Sequence, residues 1–141
     1  MREVELKFPL LNPEEVTNQL DSITERVKSE EDQSDTYFVP AHRNFVAQEP
    51  VSEWLRLRKT SKGTVLNYKR WHFKDGRGTH CDEHETRVSD VGAIQSIFDS
   101  LDLKPVIVVD KTRSSWMIDG VEVSIDEVDG LHGRTDRGGV A

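Results

Sequence analysis

The chain opens on strict alternation, with Glu3, Glu5 and Lys7 interleaved among Val4, Leu6 and Phe8. On an extended strand successive side chains point to opposite faces, so this segment has one charged face and one apolar face. The two-residue period returns along the chain. Arg56 and Arg58 alternate with Leu55 and Leu57, Asn67 and Lys69 with Leu66 and Tyr68, and Glu122, Ser124 and Asp126 with Val121, Val123 and Ile125. Glu83 and Glu85 share a face, as do Lys111 and Arg113. These patterns predict strands over 2–8, 35–39, 53–59, 64–71, 79–88, 106–118 and 121–128, separated by the turn-like Ser61-Lys62-Gly63, Asp75-Gly76 and Asp119-Gly120.

Two stretches change to a helical period. Asn12 can cap a helix, Pro13 suits its first position, Glu15 completes a capping box, and Val16, Leu20, Ile23 and Val27 follow at helical spacing. A second helix starts near Ser89 or Asp90, carries Val91, Ile94, Ile97, Phe98 and Leu101 on one stripe, and cannot continue through Pro105. Both read as amphipathic covers over a sheet. No repeat, low-complexity tract or linker divides the chain, and its longest irregular stretch, 40–50, reads as a mobile loop.

Composition narrows the picture. With 141 residues the chain fits one domain and buries roughly two-thirds of its unfolded surface without staples. Its single cysteine, Cys81, cannot form an internal disulfide, which suits a reducing compartment. No apolar run approaches the ~20 residues that span a bilayer, and the charged N-terminus lacks a signal-peptide core, so the expectation is a soluble cytoplasmic protein with no membrane partner. A net charge of −7 and a pI near 5.2 argue against nucleic acid. An anionic ligand has to be gripped by a local cluster of Arg and Lys.

Strands with a charged face and an apolar face pose a packing problem. If the apolar faces lie under the helices and the charged faces look at one another, the sheet must curl around a polar interior. Each ion buried there costs several kcal/mol unless it is paired, solvated or bound to a ligand. A wet channel holding an anion and metal cations meets that demand. The bland alternative is that Arg56/Arg58, Lys111/Arg113 and Glu83/Glu85 are solvated outer faces. Tyr37, Phe38, Trp54 and Trp116 read as core or rim packing rather than base-stacking platforms. His80, Cys81 and His84 suggest zinc, but His80 and His84 share a strand face opposite to Cys81, which argues against a common ion.

Glu3, Glu5 and Lys7 resemble the ExExK signature of the CYTH domain, the triphosphate tunnel metalloenzyme superfamily. The likeness continues in order through Asp35-Thr36-Tyr37-Phe38, Arg43 after a Pro-containing turn, Leu55-Arg56-Leu57-Arg58, Tyr68-Lys69, Glu83 and Glu85, Lys111-Thr112-Arg113 with Trp116, and Ser124-Ile125-Asp126. It covers residues 1–131, leaving 132–141 as an irregular tail. The resemblance implies an α+β fold, an eight-stranded antiparallel barrel whose bore binds a triphosphate and one or two Mg²⁺ or Mn²⁺ ions. It assigns phosphate oxygens to Lys7, Arg43, Arg56, Arg58, Lys69, Lys111 and Arg113, and the metals to Glu3, Glu5, Glu83, Glu85 and Asp126. Glu3, Glu5 and Lys7 carry the catalytic role. Paired Arg donors, compact Lys charges and carboxylate oxygens are the residue types such chemistry needs.

Within the superfamily the DTYF segment, Arg43 and the Lys-Thr-Arg run look most like the CyaB-type class IV adenylate cyclases, which implies conversion of ATP to cyclic AMP and pyrophosphate. The alternatives are hydrolysis of tripolyphosphate or thiamine triphosphate, and a non-catalytic triphosphate-binding module. The tail departs from the family. Where members carry a closing strand with another pair of glutamates, Gly130-Leu131 is followed by a Gly- and Arg-rich segment without Glu. A missing or altered final strand exposes an edge, which invites pairing with another copy as a homodimer and predicts weakened catalysis.

Overall fold

A computed structural model describes the backbone of residues 2–3 and 9–133 and the side chains of residues 9–129. Glu5 and Lys7 lie outside the described residues, and Glu3 is placed by its backbone alone. In chain order the elements are β1 (Arg2–Glu3), α1 (Pro13–Ile23), β2 (Arg26–Val39), β3 (Glu53–Thr60), β4 (Gly63–Lys74), β5 (Arg77–Val88), α2 (Val91–Ser100), β6 (Lys104–Ile118) and β7 (Val121–Gly133), with a short 3₁₀ turn at Phe45–Ala47. The strands form one antiparallel sheet in the order β1-β5-β4-β3-β2-β6-β7, six long strands and the two-residue β1. The sheet curls as a partial barrel.

The α+β class is as expected. Among the described residues there are seven strands with β1 and β7 at the ends, where the resemblance implied eight strands and closure. β7 runs to Gly133, two residues past the expected domain end, because His132 and Gly133 pair with Val108 and Ile107. Residues 134–141 lie outside the described residues.

Hairpin turns set much of the register. Asp75 and Gly76 have φ of 54° and 76°, and Asp119 and Gly120 have 50° and 78°. Two successive positive φ values make the tight turn whose twist matches flanking strands, which is why Asp-Gly occupies both sites. β4 and β5 start from Lys74↔Arg77, and β6 and β7 from Ile118↔Val121.

The apolar face packs under α2. Phe38, Leu57 and Phe98 are its buried centre, with Leu55, Leu66, Val88, Ile94 and Leu103 around them. Phe38 and Phe98 meet edge to face at 5.0 Å. Fully burying such side chains contributes about 1.5–3 kcal/mol each. Asp90 caps α2 by accepting from the Ala93 amide at 2.9 Å. Of the expected stripe only Phe98 is buried and Ile94 packs at its edge, whereas Ile97 and Leu101 are exposed. The contact is narrower than the stripe because a ten-residue helix lays one i, i+4 row on the sheet.

α1 differs more. Asn12 makes no side-chain cap, and the helix stops at Ile23. Thr24 is already extended, and Val27, expected on the helix, lies in β2, whose pairing with β6 runs from Arg26↔Trp116 to Val39↔Lys104. That long ladder outweighs the weak helical propensity of the segment. β2 therefore begins well before the expected Asp35. α1 is tied to the sheet by Asp21, which accepts from the indole of the fully buried Trp116 at 3.0 Å and from Arg26 in a two-pronged pair at 2.9 Å. The Arg26 hydrogen bonds, with help from Trp116, hold the Asp21 carboxyl at a pKa of about 2.

Candidate functional site: a charged face inside the curled sheet

Cross-strand register decides which side chains share a face, because directly paired residues point the same way. One row reads Glu85↔Asn67↔Arg56↔Tyr37 across β5, β4, β3 and β2. Beside it lies Arg58↔Asp35, then Gln33↔Lys111, and Glu31↔Arg113↔Asp126 across β2, β6 and β7. This face is opposite to the one holding Leu55, Leu57 and Phe38. Several of its polar residues are nonetheless buried, with Asp35 at 0%, Asn67 at 1% and Gln33 at 3% exposure. Both helices attach to the other face, so neither supplies that burial.

Asp35 is the centre of the basic half. Arg58 donates to it twice, Nε to Oδ1 and Nη2 to Oδ2, both at 2.8 Å, and Lys111 Nζ stands 3.4 Å from Oδ2. Lys111 is also 3.4 Å from Asp126, whose two oxygens accept from Arg113 at 2.6 and 2.8 Å. Burial pushes the Asp35 carboxyl up, but the Arg58 hydrogen bonds and the charges of Arg58, Arg56 and Lys111 overcome it, leaving a net lowering. The same contest at Asp126, won by Arg113 and Lys111, ends at a pKa of about 2. Lys111 is lowered, chiefly by burial against the opposing pull of Asp35, while the Asp126 hydrogen bond raises Arg113. Four cations, Arg56, Arg58, Lys111 and Arg113, thus share this part of the face with the carboxylates of Asp35, Asp126, Glu31 and Glu122.

Two buried atoms have no hydrogen-bond partner among the described residues, Arg56 Nε and Gln33 Oε1. A buried donor without an acceptor costs about 1–3 kcal/mol. Arg56 lies between the basic half and an acidic half built on Asn67. The Asn67 amide donates to Glu83 Oε2 at 3.0 Å and to Glu85 Oε1 at 3.3 Å, and Lys69 Nζ is 3.6 Å from Glu83. One amide therefore holds two carboxylates side by side. Backbone pairing sets Glu3 opposite Cys81, a position of the same parity along β5 as Glu83 and Glu85.

The structure brings together Arg56, Arg58, Lys69, Lys111, Arg113, Glu83, Glu85 and Asp126 on this face. It does not bring Arg43. That side chain bonds Glu53 at 2.7 Å and lies over the Phe45 ring, on the opposite face, where Tyr68 also donates to Glu53. Burial and Glu53 raise the Tyr68 phenol to about 12. The buried Phe45 and this ion pair anchor the stretch that the sequence suggested was a mobile loop. Asp126 differs from the glutamates, since Arg113 occupies both its oxygens. Asp35 and Asn67 are participants to which the sequence reading gave no role.

The donor chemistry suits a hard divalent cation. Glu83 and Glu85 offer carboxylate oxygens pinned next to each other, and such oxygens match Mg²⁺ or Mn²⁺, which also relieve the repulsion between neighbouring carboxylates. Beside this acidic pair stands a buried cationic set with an unfilled Arg donor.

Fold and site together define an antiparallel α+β half-barrel whose inner face carries a basic cluster beside a pair of glutamates. The chain belongs to the CYTH domain family, whose sequence model matches residues 1–137. It is 29% identical over 131 residues, 93% of this chain and 73% of the relative, to the Methanocaldococcus jannaschii protein named "Putative adenylate cyclase MJ0240". Among solved structures it is similar to the PH1012 protein of Pyrococcus horikoshii, with a TM-score of 0.71 and 25% identity over 92% of this chain and 72% of that one. The PH1819 protein of the same organism gives 0.68 and 22% over 98% and 71%, a likeness of fold. No helix among the described residues is long and apolar enough to cross a membrane.

Proposed function

We propose that this protein is a metal-dependent phosphoryl-transfer enzyme that converts ATP to cyclic AMP and pyrophosphate. The CYTH family binds triphosphate substrates, and the relative named above points to cyclisation. The observation that carries the reading is the buried Nε of Arg56, which has no hydrogen-bond partner among the described residues and stands among the cations Arg58 and Lys111 around Asp35. A phosphate oxygen is the acceptor that position lacks.

Arg56, Arg58, Lys69, Lys111 and Arg113, with Lys7, bind and orient the triphosphate, and their charges offset the negative charge that builds on the leaving pyrophosphate. The ribose 3′ oxygen bonds to the α-phosphorus as the bond from that phosphorus to the β-bridging oxygen breaks, and the hydroxyl proton passes to solvent. Glu83 and Glu85, with Glu3 and Glu5, are the residues to hold Mg²⁺ or Mn²⁺, which supplies Lewis-acid activation of the hydroxyl and leaving group. Asp126, which the resemblance also assigns to the metal, has both oxygens held by Arg113.

Incubation of the purified protein with ATP and Mg²⁺ or Mn²⁺, and separately with tripolyphosphate, tests the reading. Cyclic AMP with equimolar pyrophosphate is the expected result. Orthophosphate from tripolyphosphate with no cyclic AMP overturns cyclisation in favour of hydrolysis, and tight binding without products overturns catalysis.

A further inference from the structure

We propose that the outer face of the β4–β5 hairpin carries a second metal site, built from His72, His80 and Asp82 and suited to a borderline divalent ion such as Zn²⁺. The donor atoms of the three residues all lie within 4.8 Å of one another. His72 and His80 are direct cross-strand partners, and their rings stack at 4.6 Å. His72 Nε2 is 2.7 Å from Asp82 Oδ2. Two donors about 2.0–2.1 Å from a tetrahedral ion sit about 3.3 Å apart, so small side-chain rotations convert this cluster into three ligands, with water as the fourth.

At His80 the hairpin also selects the imidazole tautomer that a metal needs, and at His72 an ion displaces the Nε2 proton now shared with Asp82. Thr79 is the extra residue of a bulge, since the pairs run Phe73↔Gly78 and then His72↔His80. Its hydroxyl donates its one proton to the His72 carbonyl at 3.1 Å. The 3.1 Å contact of that oxygen with His80 Nδ1 is then donated by the ring, which leaves the lone pair on Nε2 for a metal. Imidazole and carboxylate together favour Zn²⁺ or Ni²⁺ over Mg²⁺. The side chains of His72 and Asp82 are half-exposed, so an ion can enter. Arg70, cross-strand from Asp82, is solvent-exposed, where water and salt screen its charge.

This site lies on the opposite face from Glu83 and Glu85 and does not depend on the cyclase reading. It is also not the His80, Cys81 and His84 grouping that the sequence suggests, because Cys81 is buried and His84 stacks on Tyr68. The test is Zn²⁺ calorimetry with imidazole-nitrogen NMR on the folded wild type and on His72→Gln, His80→Gln, Thr79→Val and Glu85→Gln. One equivalent is expected at this site in both the wild type and Glu85→Gln, identified by the shift of the Nε2 resonances of His72 and His80. Binding there is lost in either histidine variant and weakened about tenfold or more in Thr79→Val, where only the orienting hydroxyl is gone. Asp82→Asn substitutes if a histidine variant does not fold. Unchanged binding in His80→Gln or Asp82→Asn, loss in Glu85→Gln with retention in the histidine variants, or no binding by wild type overturns the proposal.

Discussion

Replacing Asp35 with asparagine removes the one carboxylate shared by Arg58 and Lys111 and leaves two cations, with Arg56 nearby, facing each other in a desolvated space. Asp35 has no exposed surface, and the side chains of Arg58 and Lys111 are only 14% and 11% exposed. Solvent can therefore do little to screen the loss, and breaking a buried pair by removing one partner costs about 3–5 kcal/mol. Out of a total stability of about 5–15 kcal/mol this is a large share, and for a chain of this size it lowers Tm by about 10–20 °C. Tripolyphosphate supplies the missing negative charge, so it should raise the Tm of Asp35→Asn by more than it raises that of wild type, through mass action on a tighter site. The assay is thermal denaturation of both proteins across a tripolyphosphate series. A variant melting within about 2 °C of wild type without ligand refutes the buried charge network by the same scale, and equal ligand shifts in the two proteins refute the polyanion face.

Acid should act through the same carboxylates. The folded pKa values of Asp35 and Asp126 are lowered, the latter from 3.8 to about 2, so their stabilisation is present above the unfolded value and is lost as pH falls from about 4 towards 2. Asp126 alone accounts for about 2 kcal/mol, which urea unfolding at pH 6 and pH 2.5 would reveal, and equal stabilities would contradict it. Arg56→Ala should weaken tripolyphosphate binding about ten- to a hundredfold, the worth of one charged hydrogen bond, while costing little stability because the lost Nε had no partner; wild-type affinity by calorimetry would reject its role. Leu57→Ala, at a core position with 1% exposure, should cost about 2–5 kcal/mol yet leave tripolyphosphate affinity unchanged below its Tm, and a parallel loss of both would break the assignment of the two faces.

Several parts of the site were legible because short turns transmit register. With Ser61-Lys62 as a two-residue loop, Thr60 pairs with Gly63, and counting four residues outward on each strand sets Arg56 against Asn67. From Asp119-Gly120, counting five residues outward from Ile118 and Val121 sets Arg113 against Asp126. Asp35 was not legible in this way. β2 and β3 are joined by a long connection that fixes no register, and the first half of β2 lacks apolar alternation, so nothing local announced that Asp35 would stand opposite Arg58. Arg43, assigned to phosphate by the resemblance alone, is held by Glu53 and Phe45 on the other side of the sheet, a capture that no local pattern announces.

Alternating polarity by itself determined that this chain builds strands with one apolar and one ionic face, that Arg56 and Arg58 share a face of one strand, and that Lys111 and Arg113 share a face of another. Only the tertiary structure decided which residues of β5 join them. Counting back from the Asp75-Gly76 turn without interruption would pair Asn67 with His84 and turn Glu83 and Glu85 outward. The single extra residue at Thr79 shifts the register by one, so that Asn67 meets Glu85 and His72 meets His80. Side chains alternate with a period of two, so one inserted residue exchanges the two faces of everything beyond it. Local composition does not encode that choice, because it is settled by whether the carboxylates find Asn67 and Lys69 and the imidazoles find each other.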